Sequence, residues 1–228
     1  MRSKMIGEEK LCKIKSSLVE ARSSFAGTES DDGWAFFNYL WRKLKTEGFR
    51  ASRENGCSKY VLYFIDYPFV LKMDSIDSDG NRGGECEREV ELYKKAVELG
   101  LEKFFPKTEL FCYLGDTPIV IQEKVDFADC NIPPAKAHEI ERIARSALHQ
   151  KLCSKIMNYL RENADFRVRN ISSRWLSACV RLYGKKTIFE LEKFIIDNRI
   201  NDLHGNNVGW LNSKPVILDF SGYWRSSD

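Results

Sequence analysis

Two apolar runs, "YVLYFID" and "FVLKM", are separated by the short turn "DYP". Both are rich in β-branched and aromatic residues and have strand length, which predicts an antiparallel hairpin. A hairpin needs more strands beside it, and the following sequence supplies them. The polar loop "DSIDSDGNRGG" leads to a helix, "ECEREVELYKKAVELG", with Val90, Tyr93 and Val97 on one face. "ELFCYLG" and "PIVIQEKVD" then read as two further strands. The order strand, strand, helix, strand, strand defines a sheet lobe over residues 49–125. Beyond "CNIPPAK" the pattern turns helical over 135–198, and short strands around "NVGWL" and "PVILDF" complete a second lobe, 126–228. The predicted class is α+β. Ahead of the sheet lies a helical extension, 1–48. A helix over 8–23 is broken by "GTESDDG", and a second begins at Trp34. It places Phe37, Leu40, Trp41 and Leu44 at helical spacing, with Gly48 as its stop.

Composition narrows the functional classes. A hydrophobic fraction of 43% over 228 residues supports a folded core. A net charge of +3, spread along the chain, gives no footprint for nucleic acid or a membrane surface. The N-terminal segment is charged and lacks a signal-peptide core, and no apolar stretch is long enough to span a bilayer. A soluble, cytoplasmic protein is expected. The seven cysteines form no CxxC pair and read as buried, reduced thiols, and the three histidines form no zinc-ligand spacing. In "RENADFRVRNISSRWLSACVRLYGKK" the arginines read as a solvated helix face, and Trp175, Leu176, Cys179 and Leu182 as a buried stripe.

The chemistry concentrates near the C-terminus. In "NDLHGNNVGW" Asp202 precedes Asn207 by five positions, and Asp219 follows in "VILDF". A phosphoryl-transfer loop needs these types in this order. An aspartate reaches the acceptor hydroxyl, while an amide oxygen and a second carboxylate offer a hard divalent ion the oxygens it prefers. Upstream, Lys72 ends an apolar strand, where an ammonium group is costly unless an anion meets it. Nucleotide phosphates would meet it, with Glu89 of the next helix orienting the lysine and Glu85, one turn earlier, as the alternative.

From about residue 50 onward the chain resembles the protein-kinase-like superfamily, and within it the short kinase-like proteins encoded by tailed bacteriophages. "FVLKMD", "EREVELY", "VIQEKV", "NDLHGNNVGW" and "VILDFSG" carry the resemblance, in the family's order. It implies a minimal bilobal fold with ATP held between a sheet lobe and a reduced helical lobe. Lys72 would anchor the α/β-phosphates and pair with Glu89. Asp202 would be the base, Asn207 and Asp219 the Mg2+ ligands. Glu123 and Val125 would meet adenine through hinge backbone, with Gln122 as gatekeeper. Gly56 and Ser58 in "NGCSK" stand for a glycine-rich loop that here keeps one glycine. Ile200-Asn201 replaces the usual His-Arg pair, and Ser221 stands where Asp-Phe-Gly has its glycine. His204 resembles the aminoglycoside and choline kinase branch and would contact the γ-phosphate or orient Asp202. With nine residues after Asp219 (228 − 219), the resemblance also implies no activation segment and a site that needs no activating phosphorylation. Ser226 or Ser227 then becomes a candidate for autophosphorylation.

Taken singly, each signal has a plainer reading. Asp202, His204 and Asn207 fit a turn, Lys72 a strand-end lysine reaching water, and Glu89 a solvated helix face. The ordered set points instead to an ATP- and Mg2+-dependent phosphotransferase acting on serine or threonine of a protein. A small-molecule kinase is the first alternative. A catalytically inactive kinase-like module that binds a partner is the second.

Overall fold

The computed structural model describes residues 8–25, 33–55, 59–75, 84–127, 147–163 and 171–222. It is a mixed α+β chain of two compact units, residues 1–90 with 108–124 and residues 91–107 with 125–228. No helix among the described residues is long and apolar enough to cross a membrane.

The first unit is built on an antiparallel sheet of order β1-β2-β3-β5-β4: β1 Ala51–Asn55, β2 Lys59–Phe64, β3 Phe69–Asp74, β4 Thr108–Leu114 and β5 Thr117–Glu123. Strand alternation divides its side chains between two faces. Tyr60, Leu62 and Phe64 of β2, Leu71 and Met73 of β3 and Ile119 of β5 form one buried face. Helices α1 (Glu8–Phe25) and α2 (Gly33–Thr46) bury Ile14, Leu18, Phe36, Phe37, Leu40 and Leu44 in the same cluster. The helices read from sequence as an extension therefore share the sheet's core. Trp41 lies at its margin and donates its indole N–H to the Ala51 carbonyl at 2.8 Å. α2 ends as expected at Gly48, whose φ of 88° is open only to residues tolerant of the left-handed region. Its N–H and that of Phe49 close back onto Lys45 and Leu44.

The other sheet face is polar. The register sets Lys59 opposite Asp74, Val61 opposite Lys72, Lys72 opposite Val120, and Gln122 opposite Thr108. The first turns of α3 (Glu85–Glu98) meet this face through Cys86 and Val90, which pack on Val120. Acidic residues in the first turn of α3 and Lys95 in its last complement the helix dipole.

The second unit packs helices α4 (Ala147–Asn163), α5 (Ser173–Tyr183) and α6 (Lys185–Asp197) around a core that includes Phe104, Phe105, Trp175, Phe194 and Phe220. A small sheet of order β6-β7-β8 (Asp126–Phe127, Val208–Leu211, Lys214–Ile217) joins this core. Ser172 caps α5 by accepting from Arg174 N–H. Trp175 donates its indole N–H to the Gly209 carbonyl at 3.1 Å, fixing α5 to β7.

Three side chains depart from the expected pattern. Val97 is 50% exposed, because the inward stripe of α3 runs through Leu92 and Ala96. Leu182 is 42% exposed, and Tyr183 beside it turns inward, within reach of the Lys103 and Pro215 carbonyls. Burial raises the Tyr183 phenol well above its ordinary value. Cys12 is exposed, whereas Cys86, Cys112, Cys153 and Cys179 are buried free thiols.

Candidate functional site

The polar sheet face of the first unit gathers a buried charge cluster. Lys72 Nζ lies 3.0 Å from Glu89 Oε2 and 3.2 Å from Oε1, so the lysine read from sequence meets the first-choice glutamate. Glu89 is fully buried, and it accepts more than this one cation. Lys59 Nζ approaches Glu89 Oε1 at 2.7 Å and Glu85 Oε2 at 3.4 Å. Gln122 donates its amide to Glu89 Oε2 at 3.3 Å and to Thr108 Oγ1 at 2.9 Å. Burying carboxylates at this depth requires such pairing. Asp74 joins the cluster from β3, and its Oδ1 accepts the Cys86 N–H at 2.9 Å. Burial first, then the Asp74 charge, raises the Cys86 thiol well above its ordinary value against the opposing pull of Lys59. Cys86 is therefore a packed thiol and no nucleophile.

The other predicted residues of this unit have separate places. Glu123 ends β5 opposite Phe69, and the Lys124 N–H continues the pairing to the Pro68 carbonyl at 2.9 Å. Gly56 and Ser58 lie outside the described residues, as do Ser226 and Ser227.

In the second unit, the chain leaves α6 through two reverse bonds, Ile200 N–H to Ile195 O and Arg199 N–H to Ile196 O. Arg199 occupies the left-handed position at φ 49°, and Ile200 anchors the exit in the core. Asp202 follows, partly exposed. His204 caps the 3-10 turn Gly205–Asn207, its Nδ1 accepting the Asn206 N–H at 3.2 Å. A neutral ring then carries its proton on Nε2, which lies 3.7 Å from Asp202 Oδ1.

Asn207 is held at several points. Its side-chain NH2 donates to the Asp202 carbonyl at 2.7 Å, and its N–H donates to the His204 carbonyl at 2.9 Å. Its own carbonyl accepts from Leu218 N–H at 2.9 Å, continuing the β7–β8 ladder. Asp219 comes next along the chain, and Ser221 Oγ contacts its Oδ1 at 3.4 Å. Asp202, His204, Asn207 and Asp219 thus gather at one end of a short hairpin. With the NH2 committed to Asp202, the buried Asn207 amide is oriented and its Oδ1 is an acceptor only. Asn207 precedes β7 and Asp219 lies two residues beyond β8 across the same ladder, and both carry the hard oxygens that Mg2+ prefers. Among the described residues no three His, Cys, Asp or Glu side chains form a metal cluster.

Two glycines let this loop close. Gly222, at φ 76°, lies so near Arg199 that an added Cβ would sit 2.5 Å from its carbonyl oxygen. A Cβ on Gly209 would sit 2.5 Å from the Asp126 carbonyl oxygen and 2.6 Å from Val125 Cγ1, so β6 and the half-buried Val125 reach β7 only over a glycine.

Lys59 and the role of Glu85 as its second partner were not read from sequence. The local signal is a lysine two residues before "VLYF", at the start of a strand. No protein-family model matches the chain, and comparison with curated proteins finds no match.

Proposed function

We propose that the chain is an ATP- and Mg2+-dependent phosphotransferase of the protein-kinase-like superfamily, acting on a serine or threonine hydroxyl of a protein. The observation that carries this reading is the Asp202–Asn207–Asp219 hairpin end, where an amide oriented by its bond to the Asp202 carbonyl leads into one strand and a carboxylate follows the strand paired with it. The Lys72–Glu89 pair supports it independently, since a buried lysine held by a glutamate is what phosphate binding requires.

In the proposed reaction Lys72 contacts the nucleotide phosphates while Glu89 orients it. Asp202 accepts the proton of the acceptor hydroxyl, whose oxygen forms the new bond to the γ-phosphorus as the bond to the β-phosphate oxygen breaks and ADP leaves. Asn207 and Asp219 would hold Mg2+, which when bound neutralises phosphate charge. His204 points its Nε2 towards Asp202 and so orients the base. That histidine also favours a second reading, a small-molecule hydroxyl as acceptor.

Thermal unfolding with and without ATP and Mg2+ tests the nucleotide part. Ligand at a hundred times its Kd stabilises a folded chain by about 2.7 kcal/mol, a shift of several degrees at this size. An unfolding temperature that does not move at millimolar ATP removes the reading. A shift without phosphate transfer would leave a nucleotide-binding module.

A further inference from the structure

Glu89 is served by two lysines, and they are not equivalent. Lys59 makes the shorter contact, 2.7 Å against 3.0 and 3.2 Å, and bridges to Glu85 at 3.4 Å as well. Across the β2–β3 ladder it faces Asp74. Lys72 is flanked by Val61 and Val120 instead, and its described anionic partner is Glu89 alone. Both ammonium groups approach the same oxygen, Glu89 Oε1. Their mutual repulsion weakens the hold on whichever is bound less tightly, and that is Lys72.

We infer that Lys59 is a positioning residue for phosphate binding: it keeps Glu89 neutralised when Lys72, still oriented by that carboxylate, shares its charge with a nucleotide phosphate. This role rests on the nucleotide reading above. A single lysine serving both anions would leave a fully buried carboxylate uncompensated each time it bound phosphate. With Lys59 and Gln122 also bonded to Glu89, Lys72 can turn part of its charge to phosphate without leaving that carboxylate bare. A lysine that served packing alone would give the same static contacts, so the test must read nucleotide affinity.

The experiment measures the Kd for ATP with Mg2+ by calorimetry on the full chain, for wild type, Lys59→Met, Glu89→Gln and the double variant. In Lys59→Met, Lys72 is captive to Glu89. If it is free in about one molecule in ten, apparent affinity falls about tenfold. Glu89→Gln added to Lys59→Met removes the captor, so the double variant should bind ATP more tightly than Lys59→Met. Lys59→Arg, whose fork can bridge both glutamates, should restore affinity. If Lys59→Met does not fold, the comparison of Lys59→Gln with Lys59→Arg decides: tighter ATP binding by the arginine variant is expected, and equal binding overturns the role. A double variant that binds ATP no better than a folded Lys59→Met overturns the role. Unchanged affinity in Lys59→Met overturns it as well. A wild-type chain with no ATP affinity overturns the nucleotide reading itself, and this role with it.

Discussion

Glu192 offers a sharp test of the helical unit. It lies on α6, 3% exposed, with Oε1 buried and without a hydrogen-bond partner. It borders a cavity of about 20 Å³ whose lining includes Ile156, Trp175, Ile188 and Leu203. Burial raises its carboxyl from 4.5 to about 7, against the opposing pull of Lys155. At about 1.4 kcal/mol for each tenfold change in the acid constant, that displacement amounts to roughly 3 kcal/mol. The sign follows from which state binds the proton. Below pH 4.5 both the folded and unfolded chains are protonated and no penalty arises. As pH rises from 4.5 to about 7 the unfolded chain ionises while the folded chain keeps its proton, so stability is lost across that window and the loss is complete above 7. Glu192→Met removes the charge with an unbranched side chain of similar size. Urea unfolding of both chains, followed by tryptophan fluorescence, should show the variant gaining about 2 to 3 kcal/mol over wild type between pH 5 and pH 8. A difference that is the same at both pH values, or that shrinks as pH rises, would refute the assignment.

Gly222→Ala forces a side chain against the Arg199 carbonyl at a left-handed backbone position, and should cost about 1 to 3 kcal/mol in chemical denaturation. An unchanged midpoint would show that the loop does not depend on this approach. Lys72→Ala and Glu89→Ala should each lower phosphate transfer, and the double variant should be little worse than either alone, because the two act as one unit. Fully additive losses in turnover would separate them, and a larger loss from Glu85→Ala would move the role to Glu85.

Much of the strand order was legible because β3 to β5 and the terminal hairpin are short apolar runs bounded by turns. The partnership of Lys72 and Glu89 was legible for a related reason: a lysine ending an apolar strand demands an anion, and the next helix offers glutamates at one-turn spacing, Glu85 and Glu89 among them. What α1 and α2 cover was not legible. Their apolar stripes are plain, but "YVLYF" is apolar at every position, so alternation does not say which sheet face they bury. Lys59 was missed because its burial follows from cross-strand register with Asp74, a long-range property that local sequence does not contain. Val97 and Leu182 were assigned inward by spacing of three or four residues. The contacts around each helix chose neighbouring positions instead.

In the proposed transfer from ATP, Asp202 accepts the proton of an acceptor hydroxyl. The most direct measurement incubates wild type and Asp202→Asn with γ-labelled ATP, Mg2+ and a cell extract, and quantifies label gained by protein and small-molecule hydroxyls. Wild type should transfer label, and Asp202→Asn should bind ATP as before yet transfer about a hundredfold less or worse, since its amide cannot take the proton. Transfer by Asp202→Asn at the wild-type rate would contradict the account.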